Sequence, residues 1–203
     1  MPNDLQDFSR KVRETLQINL LYGKAERLDK INYQLSENGT TVAVNKANYL
    51  AVAQAVQERR IIVMQDVPPG SVAAYDNGGD ILHVDFNQVK TDRDQSAVVH
   101  ECTHALLDLM KAVNFTLLTS EVAAFLSQTI YLKNMGQPLP KDDNDTEYNR
   151  IFIEADLLAQ KWGLYGGNGA TLNRPDFQTL RTTIQKVYLQ FGSEERINGI
   201  GVK

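Results

Sequence analysis

Two of the three histidines in this 203-residue chain stand four positions apart, in Ala97-Val98-Val99-His100-Glu101-Cys102-Thr103-His104-Ala105-Leu106. On a helix, residues at that spacing share one face, about 6 Å apart along the axis. Two imidazoles so placed can hold one metal ion. Glu101, next to the first histidine, projects from a neighbouring part of the same face. From there it can reach a water on the metal without being a ligand itself. No proline or glycine interrupts the segment, and Cys102 and Thr103 are uncharged. The competing reading is a solvated helix carrying two incidental histidines, because short motifs produce false positives.

With these residues in view, the segment resembles the zincin metallopeptidases. The match lies at His100, Glu101 and His104, with Val98-Val99 before them and Ala105-Leu106 after. It runs from the Asp76-Asn77-Gly78-Gly79 turn to residue 133. The resemblance implies a zincin-like fold over a single domain, residues 1–203. It implies one zinc ion per chain and hydrolysis of peptide bonds by a metal-activated water, with Glu101 as general base. It also puts Ile81 to Phe86 where such enzymes place an edge strand for a peptide or protein substrate.

A catalytic zinc normally has three protein ligands and an open position. No histidine follows His104, which excludes the metzincin extension. Asp108 is eight residues from His100, about 12 Å of helix rise, so all three cannot chelate one ion. Its alternatives are a surface carboxylate or a hydrogen-bond acceptor for a ligand histidine. The resemblance points instead to Glu121. Glu121-Val122-Ala123-Ala124-Phe125 looks like the Glu-x-x-Ala pattern on the second helix of gluzincins, the branch with a glutamate ligand. Its small alanines allow close helix approach, and a short turn near Asn114 returns Glu121 toward His104. The sequence departs from some gluzincins at Phe125, where they carry an aspartate that supports the site. The bland role for Glu121 is a first-turn glutamate favoured by the helix dipole. Glu154, in Ile151-Phe152-Ile153-Glu154-Ala155, is the rival third ligand, or a buried salt-bridge member beneath the site.

Other candidates carry less. Cys102 shares a helix side with Val98, Ala105 and Leu109 and reads as a small core residue. His83 reads as a residue on a solvated strand face. Tyr131 and Tyr148 are candidates for stabilising an oxyanion. Asp143, Asp145, Glu147 and Glu154 fit part of a calcium-loop spacing, but Tyr148 takes the position that needs glycine. Gly166-Gly167-Asn168-Gly169 lacks the Gly-Lys-Ser/Thr of a phosphate loop and reads as a flexible turn. The non-enzymatic alternative is a zinc-binding, zincin-like module that recognises a partner or regulates without turnover. An intact Glu101 argues against it.

These residues need elements to position them. Leu5, Phe8, Val12, Leu16 and Leu20 suggest an amphipathic helix over 4–22. Asn38-Gly39 marks a turn before a strand at 40–44, and 48–59 has helical spacing. Strands follow at 61–64, 72–75 and 81–86, with Asn77-Gly78 as a hairpin signal between the last two. In the last of these, Leu82, Val84 and Phe86 share a side. After residue 94 the pattern is helical, over 94–112, 119–133, 150–162 and from Pro175 to about residue 191. Loops at 134–149 and 163–175 separate these helices, and the elements together make an α+β architecture: a small N-terminal β-sheet with helices, followed by a helical half.

The composition suits a folded globular protein, with 42% hydrophobic and 23% charged residues. The net charge of −4 lacks the general footprint of a nucleic-acid binder. With one cysteine, no disulfide can form within the chain. The polar N-terminus has no secretory h-region, and no run of about 18 apolar residues occurs. The expectation is therefore no nucleic-acid or membrane partner and, by default, a cytoplasmic location, with signal-independent export left open.

Overall fold

The computed structural model describes residues 25–141 and 146–189. The helix expected over 4–22 lies outside them, as do Asp143 and Asp145. The described chain is α+β, with two three-stranded sheets and five α-helices.

The first sheet is built on a hairpin. Strand β1 (Asn32–Glu37) and strand β2 (Thr40–Asn45) pair antiparallel, with Glu37 opposite Thr40. Asn38 and Gly39 between them both have left-handed φ, 49° and 77°, which a two-residue turn of this hand requires. The Asn45 side chain then accepts from Asn48 N at 3.0 Å and caps α1 (Lys46–Gln57). The sheet order is β2-β1-β6, with β6 (Thr171–Asn173) running parallel to β1. Both β1 and β6 escape the sequence reading. Strand β6 is three residues inside a glycine-rich loop and exists because β1 offers it an edge. The loop before it is tied to β1, through Asn32 Nδ2 to Gly167 O at 2.9 Å and Gln34 N to Ala170 O at 2.7 Å.

The second sheet has the order β3-β5-β4, from β3 (Ile62–Met64), β4 (Ala73–Asp76) and β5 (Ile81–Val84). Strand β5 is therefore central, which overturns the expectation that 81–86 forms an edge. Parallel β3 occupies one side and antiparallel β4 the other, and β4 is the strand beside the site. The β4–β5 turn also differs from the Asn-Gly expectation. The left-handed residue is Asp80, φ 52°, while Asp76 Oδ1 accepts from Gly78 N at 2.9 Å. Leu82 and Val84 are buried as expected.

Helix α2 (Asp92–Leu109) carries the His-Glu-x-x-His segment. Thr91 and Asp94 form a reciprocal cap, with Thr91 Oγ1 accepting from Asp94 N and Asp94 Oδ2 accepting from Thr91 N. A turn through Lys111, φ 54°, leads to α3 (Leu117–Asn134), capped by Thr116. Helix α3 is buried around almost its whole circumference, because α2, α4 (Thr146–Lys161) and α5 (Gln178–Leu189) all pack on it. Buried Glu37, at the end of β1, accepts from Thr116 N at 3.0 Å, and Arg174 lies 3.4 Å from its other oxygen. The first sheet thus sets where α3 begins, one turn before Glu121.

Two tyrosines tie the first sheet and α1 to the helix pair. The Tyr33 hydroxyl donates to Ala123 O at 2.8 Å and lies 2.7 Å from Ser127 Oγ. The Tyr49 hydroxyl meets Thr103 Oγ1 at 2.6 Å, and Thr103 donates in turn to Val99 O. Both tyrosines are fully buried. Tyr33→Phe should lower stability by about 1–2 kcal/mol, since the buried Ala123 carbonyl and Ser127 hydroxyl each lose a hydrogen bond. Chemical denaturation measures this, and an unchanged midpoint would mean that packing alone holds the layers together.

Candidate metal centre

The order of contacts between α2 and α3 shows that the two helices run antiparallel. Ser120 meets His104, Glu121 lies against both histidines, Gln128 meets His100 and Ser96, and Tyr131 meets Gln95. This brings His100, His104 and Glu121 together as a group whose donor atoms all lie within 4.8 Å of one another. Glu121 Oε2 is 3.4 Å from His100 Nε2, and Oε1 is 3.5 Å from His104 Nε2. His100 and Glu121 are buried, and His104 is only slightly more exposed.

The donor set fits a divalent metal ion in chemistry as well as spacing. The Nδ1 atom of His100 lies 3.1 Å from Gln128 Oε1, and that of His104 lies 2.7 Å from Ser120 Oγ. A protonated Nδ1 donating to those oxygens leaves Nε2 of each ring with its lone pair toward the other and toward Glu121. That is the arrangement in which metal-binding histidines are usually held. Phe125 packs edge-on to the His100 ring, 4.6 Å between centroids.

Electrostatics point the same way. Burial works to lower the His100 pKa, but the hydrogen bond to Glu121 and the charges of Glu101 and Glu121 outweigh it and hold the pKa above its ordinary value. The carboxylates therefore stabilise positive charge at this position. A proton and a metal ion compete for the same nitrogen, so metal affinity falls as pH drops.

Glu101 stands in the same cleft, and its Oε2 accepts from the backbone N–H of Tyr75 on β4 at 2.9 Å. The cleft beside the donor group has a volume of about 240 Å³, with Leu107, Phe115 and Leu117 among its apolar walls. A second opening, on the other side of His100 and Glu101, is bordered by Val72, Ala73, Arg93 and Tyr148.

The other sequence candidates fall elsewhere. Asp108 is buried in the cleft wall, where its Oδ2 accepts from Tyr75 Oη at 2.9 Å, while Gln128 and Ser120 face the Nδ1 atoms of the two histidines. The rival ligand Glu154 lies outside the group. It pairs with Arg150 on its own helix at 3.7 Å and borders a separate groove with Lys161 and Phe177. It is half-buried, not the buried partner expected beneath the site. Tyr131 donates to Gln95 at 3.0 Å and lines neither opening, whereas Tyr148 borders the second one. Tyr148 also lies in α4, so residues 148–154 are helix and cannot form a calcium loop. Cys102 is a buried core residue whose thiol pKa burial pushes up to about 12. His83 is held by Asp66 through Nδ1, 2.8 Å from the carbonyl oxygen and 3.0 Å from Oδ1.

Ser120, Gln128 and Tyr75 are positions at the site that the sequence reading misses. A signal for Gln128 exists: Ser127-Gln128-Thr129 is a polar run within a buried helix, and Gln128 is seven residues from Glu121, on the same face. Tyr75 has no such signal, because it reaches the site through its main chain. Compared with protein-family models, with curated proteins and with solved structures, the chain finds no match. Among the described residues no helix is long and apolar enough to cross a membrane.

Removing one histidine ligand, as in His100→Ala or His104→Ala, should abolish stoichiometric metal binding. Glu121→Ala should weaken it by one or two orders of magnitude, and Glu154→Ala should leave it unchanged. Metal titration by calorimetry, with elemental analysis, distinguishes these outcomes; loss of metal only in Glu154→Ala would move the third ligand. Gln128→Leu removes the oxygen that orients His100 and should cost roughly tenfold to a hundredfold in affinity, read in the same titration.

Proposed function

We propose that the protein is a zinc-dependent metallopeptidase of gluzincin type. The observation that carries the reading is the juxtaposition of the His100, His104 and Glu121 donors with Glu101 in one cleft beside an edge strand. Two imidazoles and one carboxylate suit zinc, and three protein ligands leave a position open. A zinc ion held there would polarise a scissile carbonyl and acidify a water.

The chain's own residues supply the rest. Glu101 removes a proton from the attacking water as its oxygen bonds to the carbonyl carbon. It returns that proton to the amine nitrogen as the C–N bond breaks. Oε2 is engaged by Tyr75 N–H, which leaves Oε1 for this traffic. The substrate strand in this reading is β4 rather than β5. Asp85 N donates to Val72 O, and Ala74 lies opposite His83, so alternation turns the main chain of Ala73 and Tyr75 away from β5. An extended peptide can pair with the N–H and C=O of Ala73 and with the C=O of Tyr75, whose N–H is held by Glu101, and run between the two openings.

Glu101→Gln preserves size and polarity but removes the base. It should keep the fold and bind zinc, and lose hydrolysis of an unfolded protein or a mixed peptide substrate by at least about a hundredfold. Retention of activity in this variant would refute the mechanism. A zinc-loaded wild type that hydrolyses none of a broad peptide set would favour the non-catalytic, partner-binding alternative.

A further inference from the structure

Tyr75 touches α2 at two points. Its N–H donates to Glu101 Oε2 at 2.9 Å, and its phenol donates to Asp108 Oδ2 at 2.9 Å. Glu101 and Asp108 are seven residues apart, two turns of one helix face, about 10 Å along the axis. One residue of the edge strand therefore lies along the helix and is pinned at both ends. Asp108 is buried, at 4% exposure, and Tyr75 is partly buried against the core. Burial, reinforced by the charge of Asp108, holds the phenol far above its ordinary pKa, so it remains a donor at any working pH.

We propose that Tyr75 is a positioning residue for Glu101, with Asp108 as the anchor that locks it. This inference rests on Glu101 acting as the general base. A glutamate side chain has three rotatable bonds, and without a partner its carboxylate samples several rotamers. The Tyr75 N–H selects one of them. The phenol–Asp108 bond keeps that N–H in reach by fixing the strand's distance and slant against the helix. The clamp leaves the three ligand side chains untouched, so it separates alignment of the base from metal binding. General-base catalysis is steeply sensitive to such alignment.

The test uses the full chain. Tyr75→Phe deletes the phenol hydroxyl but keeps the backbone N–H. It should bind zinc as the wild type does, and kcat should fall about ten- to a hundredfold with KM changed less than about threefold. Asp108→Ala should behave alike, and the double variant should be no worse than either single one, because both break the same clamp. Asp108→Asn retains an acceptor oxygen and should recover most of what Asp108→Ala loses.

Hydrogen exchange at the amide of position 75 gives a readout independent of activity. It should accelerate in Glu101→Ala and in Tyr75→Phe. Unchanged exchange in both overturns the clamp and leaves the peptidase reading standing. Additive kcat losses in the double variant, or a loss confined to KM, overturn the positioning role. If wild type loaded with zinc cleaves nothing while exchange responds as expected, the peptidase reading fails and the clamp stands as a structural fact about Glu101.

Discussion

The close antiparallel contact between α2 and α3 is the constraint on which the rest depends. The donor group draws two residues from one helix and one from the other, so a shift of either helix by a single turn would separate them. Ala124, on the same face of α3 as Ser120 and Gln128, is small and buried and lets the helices approach. The approach is fixed from outside by Tyr33 on α3, by Tyr49 on α2, and by Glu37 at the start of α3. The first sheet, outside the donor group itself, sets its register through Tyr33 and Glu37.

Bringing polar groups into that contact carries a desolvation cost, and the structure meets it with partners. His100 leans on Gln128, which donates onward to Ser96; His104 leans on Ser120; Asp108 takes the Tyr75 phenol. Helix α3 alone contributes Ser120, Glu121, Phe125 and Gln128 to the same small volume. Its burial on nearly all sides therefore serves the site as much as the core. The carboxylates Glu101 and Glu121 give this volume a negative bias, which the raised His100 pKa registers.

Strand β4 completes the arrangement from the other sheet. It closes one wall of the cleft, presents outward main-chain groups, and engages Glu101 directly. The cleft is unequal on its two sides. One side has apolar walls from Leu107, Phe115 and Leu117; the other has the charged Arg93 and Asp94 with Pro140 and Tyr148.

The sequence by itself determined the local part of this site. His100, Glu101 and His104 sit on one helix, and helical geometry places them without help from any other element. Glu121 was legible because a short turn brings it back, and the α+β class followed from periodicity. The Asn38-Gly39 turn was legible because its backbone demands left-handed φ at both residues. What tertiary structure decided is everything that depends on pairing between distant segments. Strand order moved the edge from β5 to β4, because β3 pairs in parallel across the chain and no local pattern specifies that neighbour. Strand β6 exists only through its pairing with β1. Glu154 and Glu121 look alike in sequence, each a glutamate beside apolar residues. The path of α4 leaves one on an outer groove and the fold of α3 buries the other between two imidazoles. Tyr75 reaches Glu101 through a backbone N–H, a group every residue but proline possesses, so its identity carries no trace of that contact. Side-chain chemistry and short-range geometry are written along the chain, whereas long-range pairing of common backbone groups is settled only when the chain folds.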